Sequence, residues 1–337
     1  MGGALKTYDR PGARMDAVET PRVDKIAHFL VDAAVWAPSV YDTQPWWFGT
    51  RGSTVTVHAD PERRLSVADP DGREMFISCG AALYTLRLAV RDLGRVPEVR
   101  LLSDPRRPGL IADVVVGPAR PPTAEERQTY AHIRRRNTHR GGFRPGGLPI
   151  GLLQALRTHA YRERVALRIV ADPRARIALA ALTESAEQVL RQNPAYVAEV
   201  ARWASVATGA AEETCPRESA HLDAEFAGCD FARGQGWGRT ADERQDATGV
   251  VAMLLTDGDD RTAWLSAGQA LQRILLCAAE YGVSAAFHSQ ALEVPELREF
   301  IRARFCDGAH PQMLMRLGVA HTGAGRRSVA DLTCAEL

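Results

Sequence analysis

No apolar run in this chain of 337 residues approaches the roughly 18 residues that suggest a membrane span. The opening stretch, MGGALKTYDRPGARMDAVETPR, has no apolar h-region of the kind a secretory signal needs, and it reads as a flexible tail. Charge of one sign is also missing. The formal net charge is +1, so no global field favours nucleic acid or an anionic membrane, and any anion site must come from a local arginine cluster. The six cysteines (79, 215, 229, 277, 306 and 334) form no C-x-x-C pair. Cys79 and Cys277 sit inside apolar helical patterns, as buried free thiols do, and a reducing cytoplasm is the expected location. The nine histidines are dispersed as well, and His221-x-Asp223-x-Glu225 matches no common metal spacing. It reads as a solvated face, and no metal is expected. The usual nucleotide signals are absent: no G-x-G-x-x-G follows a strand, and no G-x-x-x-x-G-K occurs. Nor is there a Gly-x-Ser-x-Gly nucleophile elbow.

What remains is ordinary globular composition, 45% hydrophobic and 25% charged. Apolar spacing predicts a helix over 23–35, then two short strands in PWWFGT and STVTVHAD around a glycine turn. A helix over 75–93 stops at Gly94, and EVRLLS and LIADVVVG read as strands. The Pro-rich GPARPPTAEE is the first plausible internal boundary. A helix then runs from about Ala124 into IRRRNTHRGGF, and another lies near 150–160. VALRIVA is a strand and 173–202 one long helix. Residues 203–248 carry little periodicity, as a functional lid or a disordered segment does. VVAMLLTD is a strand; Asp260 caps a helix that reaches Tyr281, and Pro295 opens a shorter one. QMLMRLGVA is the last strand, with Met313, Met315, Leu317 and Val319 on one face. Strands in both halves without strict βαβ alternation indicate an α+β fold. The implied organisation is a tail (1–21), a first half (22–118) and a second half (119–337) with the irregular segment inside it.

Two stretches stand out chemically. In AAVWAPSVYDTQPWWF, Pro38 and Pro45 bracket a rigid loop that carries Ser39, Tyr41, Asp42, Thr43 and Gln44. In RRRNTHR, Arg136, Thr138 and Arg140 would point the same way if the segment were extended, and two guanidiniums around a hydroxyl suit a phosphate. The same arginines would equally serve as the basic end of a helix. Arg326-Arg327 is a further phosphate contact or a solvated tail.

APSVYDTQPWWF resembles the A-P-S-x-x-N-x-Q-P-W loop of the FMN-dependent nitroreductase superfamily. The context is similar to its Acg-like branch, through DPDGREMFISCGAAL, RRRNTHRGGF, DDRTAWLSAGQALQRILLCAAEYG, SQALEVPELREFI and PQMLMRLGVA, over roughly residues 23–330. That resemblance implies a nitroreductase-like fold in which two subunit-like halves are fused around a single FMN site under a lid. Pro38, Ser39 and Val40, with Gln44, would wall the flavin. Arg136 and Thr138 would hold its phosphate, Arg140 the N1/O2 edge, and Arg327 would be a further phosphate contact. His288, Ser289 and Gln290 would lie beside the reacting N5, and one chain would suffice to bind flavin, with a dimer through other surfaces still open.

Here the chain departs from the pattern: Asp42 stands where the family has Asn, and Tyr41 where this branch commonly has His. A carboxylate only accepts. Asp42 either faces the flavin or caps its own turn, and Tyr41, Asp42 and His288 are the candidate acid–base groups. The expected activity is electron-pair transfer between NAD(P)H or an organic substrate and FMN, with a biosynthetic step as one setting for it. The alternative is a flavin-sequestering protein. Lid residues His221, Trp237 and Arg239 would contact substrate if the lid opens.

Overall fold

The structure is a computed structural model that describes residues 20–102, 104–139, 142–208 and 247–320. The irregular segment, apart from its first and last residues, and the C-terminal arginines lie outside the described residues.

The first half runs α1 (Thr20–Ala34), β1 (Trp46–Arg51), β2 (Thr54–Ala59), α2 (Arg73–Asp92), β3 (Arg95–Leu101) and β4 (Leu110–Ala119). Its four strands pair antiparallel in the order β1-β2-β4-β3. The second half runs α3 (Ala124–Ala131), α4 (Leu152–Arg162), β5 (Ala166–Ile169), α5 (Pro173–Arg191), α6 (Pro194–Thr208), β6 (Val250–Thr256) and α7 (Arg261–Glu280). It closes with β7 (Ser284–Phe287), α8 (Gln290–Glu293), α9 (Pro295–Phe305) and β8 (His310–Gly318). Its sheet is again antiparallel and ordered β5-β6-β8-β7. Strand for strand, the second sheet repeats the topology of the first, so the α+β fold consists of two pseudo-repeated halves.

The halves meet through their central helices. Each of α2 and α7 is 20 residues long and buried over most of its circumference, and each has glycine at its eighth position. A Cβ added at Gly80 would sit 2.4 Å from the Leu265 carbonyl oxygen, and one at Gly268 would sit 1.9 Å from that of Ile77. Only glycine allows backbones this close. Gln272 donates to the Thr85 hydroxyl across the same contact at 3.0 Å.

Two expectations about helices need correction. The long helix expected over 173–202 is two, because Pro194 lacks an amide donor and restarts the chain after Asn193. The helix expected to enter the arginine cluster ends at Ala131; Arg136 is held by a turn bond to the His132 carbonyl at 2.9 Å. A four-residue strand, β7, and the short α8 occupy AAFHSQALE, a stretch too short for periodicity to reveal. β8 is buried along nearly its whole length and on both faces, beyond the single apolar face expected. Cys79, Cys277 and Cys306 are buried free thiols; the other three cysteines lie outside the described residues. No helix among the described residues is long and apolar enough to cross a membrane.

Candidate functional site

The proline loop leaves α1 by tightening turns (Trp36 N–H to Ala33 O, Ala37 N–H to Ala34 O) and reaches Pro38. It then holds three non-glycine residues in the left-handed region: Tyr41 at φ 46°, Asp42 at 55° and Gln44 at 45°. Such backbone persists only where the surroundings over-determine it. They do here. The Val40 amide donates to Ser78 Oγ on α2 at 3.2 Å, and the Gln44 amide to Ser39 Oγ at 3.0 Å. Thr43 Oγ1 donates to the Val40 carbonyl at 2.8 Å, and Arg63 reaches over to the Thr43 carbonyl at 2.8 Å. Ser39 thus orders its own loop. Asp42 is exposed, and among the described residues its carboxylate has no hydrogen bond; what the position uses is the ability of Asp to adopt positive φ.

The arginine segment comes to this loop from the second half. Arg136 is half-buried and points its Nη2 at the Trp36 carbonyl, 3.5 Å away, at the entrance of the proline loop. Thr138 is exposed and pairs in parallel with Ala285 of β7, while the His139 amide donates to the Ala285 carbonyl at 2.8 Å. The segment is therefore a turn followed by extended chain along β7. Arg140 and Arg327, like His221, Trp237 and Arg239, lie outside the described residues.

Beyond β7 the chain presents His288, Ser289 and Gln290. The His288 amide donates to the Leu314 carbonyl at 2.9 Å, and its ring is 2% exposed. Arg316 Nε donates to His288 Nε2 at 2.7 Å. Burial first, and then the neighbouring Arg316 charge, push the imidazole down to about 3. His288 is therefore neutral near pH 7. It orients Arg316, whose guanidinium lies 5.4 Å over the Phe143 ring and donates to the Thr248 carbonyl. Gln290 is buried, and among the described residues its Oε1 meets no donor.

Sequence reasoning did not find the groups that join these parts. The Tyr41 and Tyr196 hydroxyls are 2.7 Å apart, and Tyr196 donates to Glu293 Oε2 at 3.2 Å. Ser289 Oγ donates to Glu293 Oε1 at 3.3 Å. One turn further along α6, Glu199 accepts the backbone amides of Ser66, Val67 and Ala68 at 2.5–3.2 Å. Together with Trp203, these side chains lay one face of α6 on the loop that carries Leu65 and Ala68 and on Val40 and Tyr41. The available signal was the 196, 199, 203 spacing of a single helical face. Its partners are far away in sequence.

The arrangement is a shared site: a strained loop from one half, an arginine and a strand end from the other, and a helix strapped across both. No family model matches the chain. It is 33% identical over 301 residues to the Mycobacterium tuberculosis protein named "Putative NAD(P)H nitroreductase Rv3131", covering 88% of this chain and 85% of that one. It is 30% identical over 312 residues to "Putative NAD(P)H nitroreductase acg" of the same organism, covering 90% and 91%. Among solved structures, the FMN-dependent nitroreductase NfnB from Mycobacterium smegmatis, in complex with NADPH, matches 63% of this chain and 99% of its own at 18% identity and a TM-score of 0.39. The chain belongs to the NAD(P)H nitroreductase family and is an oxidoreductase of that family.

Proposed function

We propose that this protein binds FMN between the proline loop and the segment that runs from Arg136 along β7, and that it moves electron pairs between NAD(P)H and an organic acceptor. The observation that carries this reading is Arg136 Nη2 at 3.5 Å from the Trp36 carbonyl. It brings a cation of the second half to the loop of the first, so one chain supplies both walls and a monomer is sufficient. The donor set fits the cofactor. Arg136 offers charge-assisted donors suited to a phosphate, and the exposed Thr138 adds a hydroxyl. The buried Gln290 Oε1 is an acceptor still needing a donor, which an isoalloxazine ring N–H can be. Bound FMN supplies two-electron chemistry; the residues of this chain bind it, orient it and keep water from one side. Arg140 and Arg327 would complete the anion contacts.

A second reading is favoured by one observation. Tyr196 and Glu199 fasten α6 over the proline loop, as a protein that sequesters flavin with little turnover would require. Rapid mixing separates the two. Protein reconstituted with FMN should lose its visible flavin absorbance on mixing with NADPH, whereas flavin that stays oxidised selects sequestration. Arg136→Ala should weaken FMN binding by about 1.5–3 kcal/mol, the contribution of a hydrogen bond to a charged group. Failure of the wild-type protein to retain FMN, or selective retention of FAD, rejects both readings.

A further inference from the structure

Glu293 lies in the middle of a hydrogen-bonded row that crosses between the halves. Its Oε1 accepts from Ser289 and lies 3.5 Å from the Tyr41 hydroxyl; its Oε2 lies 3.2 Å from the Tyr196 hydroxyl, which is itself 2.7 Å from that of Tyr41. Each packed element turns a polar or charged group toward it: Tyr41 from the proline loop, Arg73 and Glu74 from α2, Glu187 from α5 and Tyr196 from α6. The guanidinium of Arg73 is already committed. Arg73 donates to Glu74 Oε1 at 2.8 Å and to the Gln312 carbonyl at 2.7 Å. Glu74 is 4% exposed, and its other oxygen is buried without a partner. Glu74 and Glu293 both draw on Arg73 in a site out of water, and two carboxyls so placed do not readily ionise together. Burial, then repulsion from Glu74, hold the Glu293 carboxyl well above the usual carboxylate range.

We propose that Glu293 is the proton store of this site, passing its proton through the Tyr196 hydroxyl to the Tyr41 hydroxyl in the proline loop and from there to the bound acceptor. The proposal rests on the oxidoreductase reading above. Two-electron reduction of an organic acceptor adds one hydride and one proton; the hydride is the contribution of the flavin and NAD(P)H, and the proton comes from Tyr41. Tyr41 then takes the proton of Tyr196, and Tyr196 takes that of Glu293. The carboxylate left behind accepts from Tyr196 and Ser289 and reloads from solvent. Tyr41 is the catalytic residue of this relay, and Tyr196 and Glu293 act through it.

Wild-type protein, Glu293→Gln and Tyr196→Phe are compared in two measurements. In the first, thermal unfolding of flavin-free protein is followed against pH. The folded carboxyl keeps its proton to higher pH than the unfolded one, so wild-type stability should fall as pH rises above the ordinary glutamate range. That slope should flatten in Glu293→Gln and survive in Tyr196→Phe. In the second, FMN-loaded protein reduces nitrofurazone with NADPH across the same pH range. The alkaline decline of kcat should vanish in Glu293→Gln. Both variants should lose roughly tenfold or more in kcat, toward the range of a lost general acid, with KM for the acceptor nearly unchanged. Wild-type slope, pH profile and kcat in Glu293→Gln, or wild-type kcat in Tyr196→Phe, overturn the relay while leaving the oxidoreductase reading intact. If Glu293→Gln does not fold, Tyr196→Phe decides. A wild-type protein that binds no FMN or turns nothing over fails at the earlier reading and takes the relay with it.

Discussion

The two halves share strand order and a 20-residue central helix with glycine at its eighth position, yet they spend this scaffold differently. In the first half, α2 is the only α-helix among the connections of β1 to β4. The shaped element is the proline loop before β1. In the second half, α5 and α6 intervene between β5 and β6, and α8 and α9 between β7 and β8. Those additions carry Tyr196, Glu199 and Glu293, the groups that reach back to the first half. Even the equivalent helix starts differ. α2 opens Arg73-Glu74 under an Asp69 cap, and α7 opens Arg261-Thr262 under an Asp260 cap, so only α2 buries a second carboxyl there. The repeated topology supplies the frame, and the differences between the two halves build the candidate site.

The largest expected effect breaks what the halves have in common. Gly268→Ala would drive a Cβ into the Ile77 carbonyl, a backbone atom that cannot swing aside. A destabilisation of about 3 kcal/mol, at the upper end for overpacking, is expected from urea unfolding. Gly80→Ala should behave alike, since its Cβ meets the Leu265 carbonyl. If either alanine is tolerated at no cost, the helices do not cross this closely.

Next in size is the strap. Glu199→Ala removes the acceptor of three consecutive amides, at Ser66, Val67 and Ala68. Loss of about 2 kcal/mol is expected, because the acceptor is charged and water can replace only part of it. Hydrogen exchange should speed up at those amides before it does in either sheet. Unchanged protection there would mean that α6 is not held by this carboxylate.

Some of this contrast was legible in the sequence and some was not, for physical reasons. The strand pairs around Gly52 followed from β-branched alternation, and the α7 cap and the start of α9 from Asp260 and Pro295. These signals are local. Pro194 was a local signal too, but strong helical periodicity on both sides hid the break between α5 and α6. The polar row was invisible because Tyr41 meets Tyr196 at a separation of 155 positions and Glu199 meets Ser66 at 133. Glu293, within SQALEVPEL, reads as an ordinary surface acid until α2, α5 and α6 enclose it. For His288, nothing in the sequence showed the buried Arg316 that fixes its ring, 28 positions away.

A smaller effect tests the charge difference at the two helix starts. Burial, opposed by Arg73 and reinforced by Asp69, pushes the Glu74 carboxyl up to about 7. In the unfolded chain it titrates in the ordinary range near 4.5. Between those values the folded state binds more protons, so this group's contribution to stability is complete below pH 4.5 and is lost as pH rises toward 7. Glu74→Gln should flatten that part of the stability profile. Thr262→Val, at the matching position of α7, should leave the profile's shape unchanged.

The smallest effect concerns Asp42, in the proline loop. Its φ of 55° lies in the left-handed region, which Asn and Asp enter more readily than other side chains. The carboxylate is exposed and has no hydrogen bond among the described residues, so folding uses the residue's backbone tolerance and not its charge. Asp42→Asn should therefore change unfolding free energy by no more than about 0.5 kcal/mol, as a surface exchange does. Asp42→Ala should lose about 1 kcal/mol, the cost of holding an ordinary residue at positive φ. The two halves of the site predict different things for function. If the carboxylate serves chemistry, Asp42→Asn will bind FMN normally but turn over roughly 10²- to 10⁴-fold more slowly with a true substrate. If only the backbone matters, turnover will follow stability, with Asn equal to Asp and Ala modestly worse. The exposure and positive φ favour the second outcome. An Asn variant that folds like the wild type and fails to turn over would show that the first half contributes a charge to the site as well as a wall.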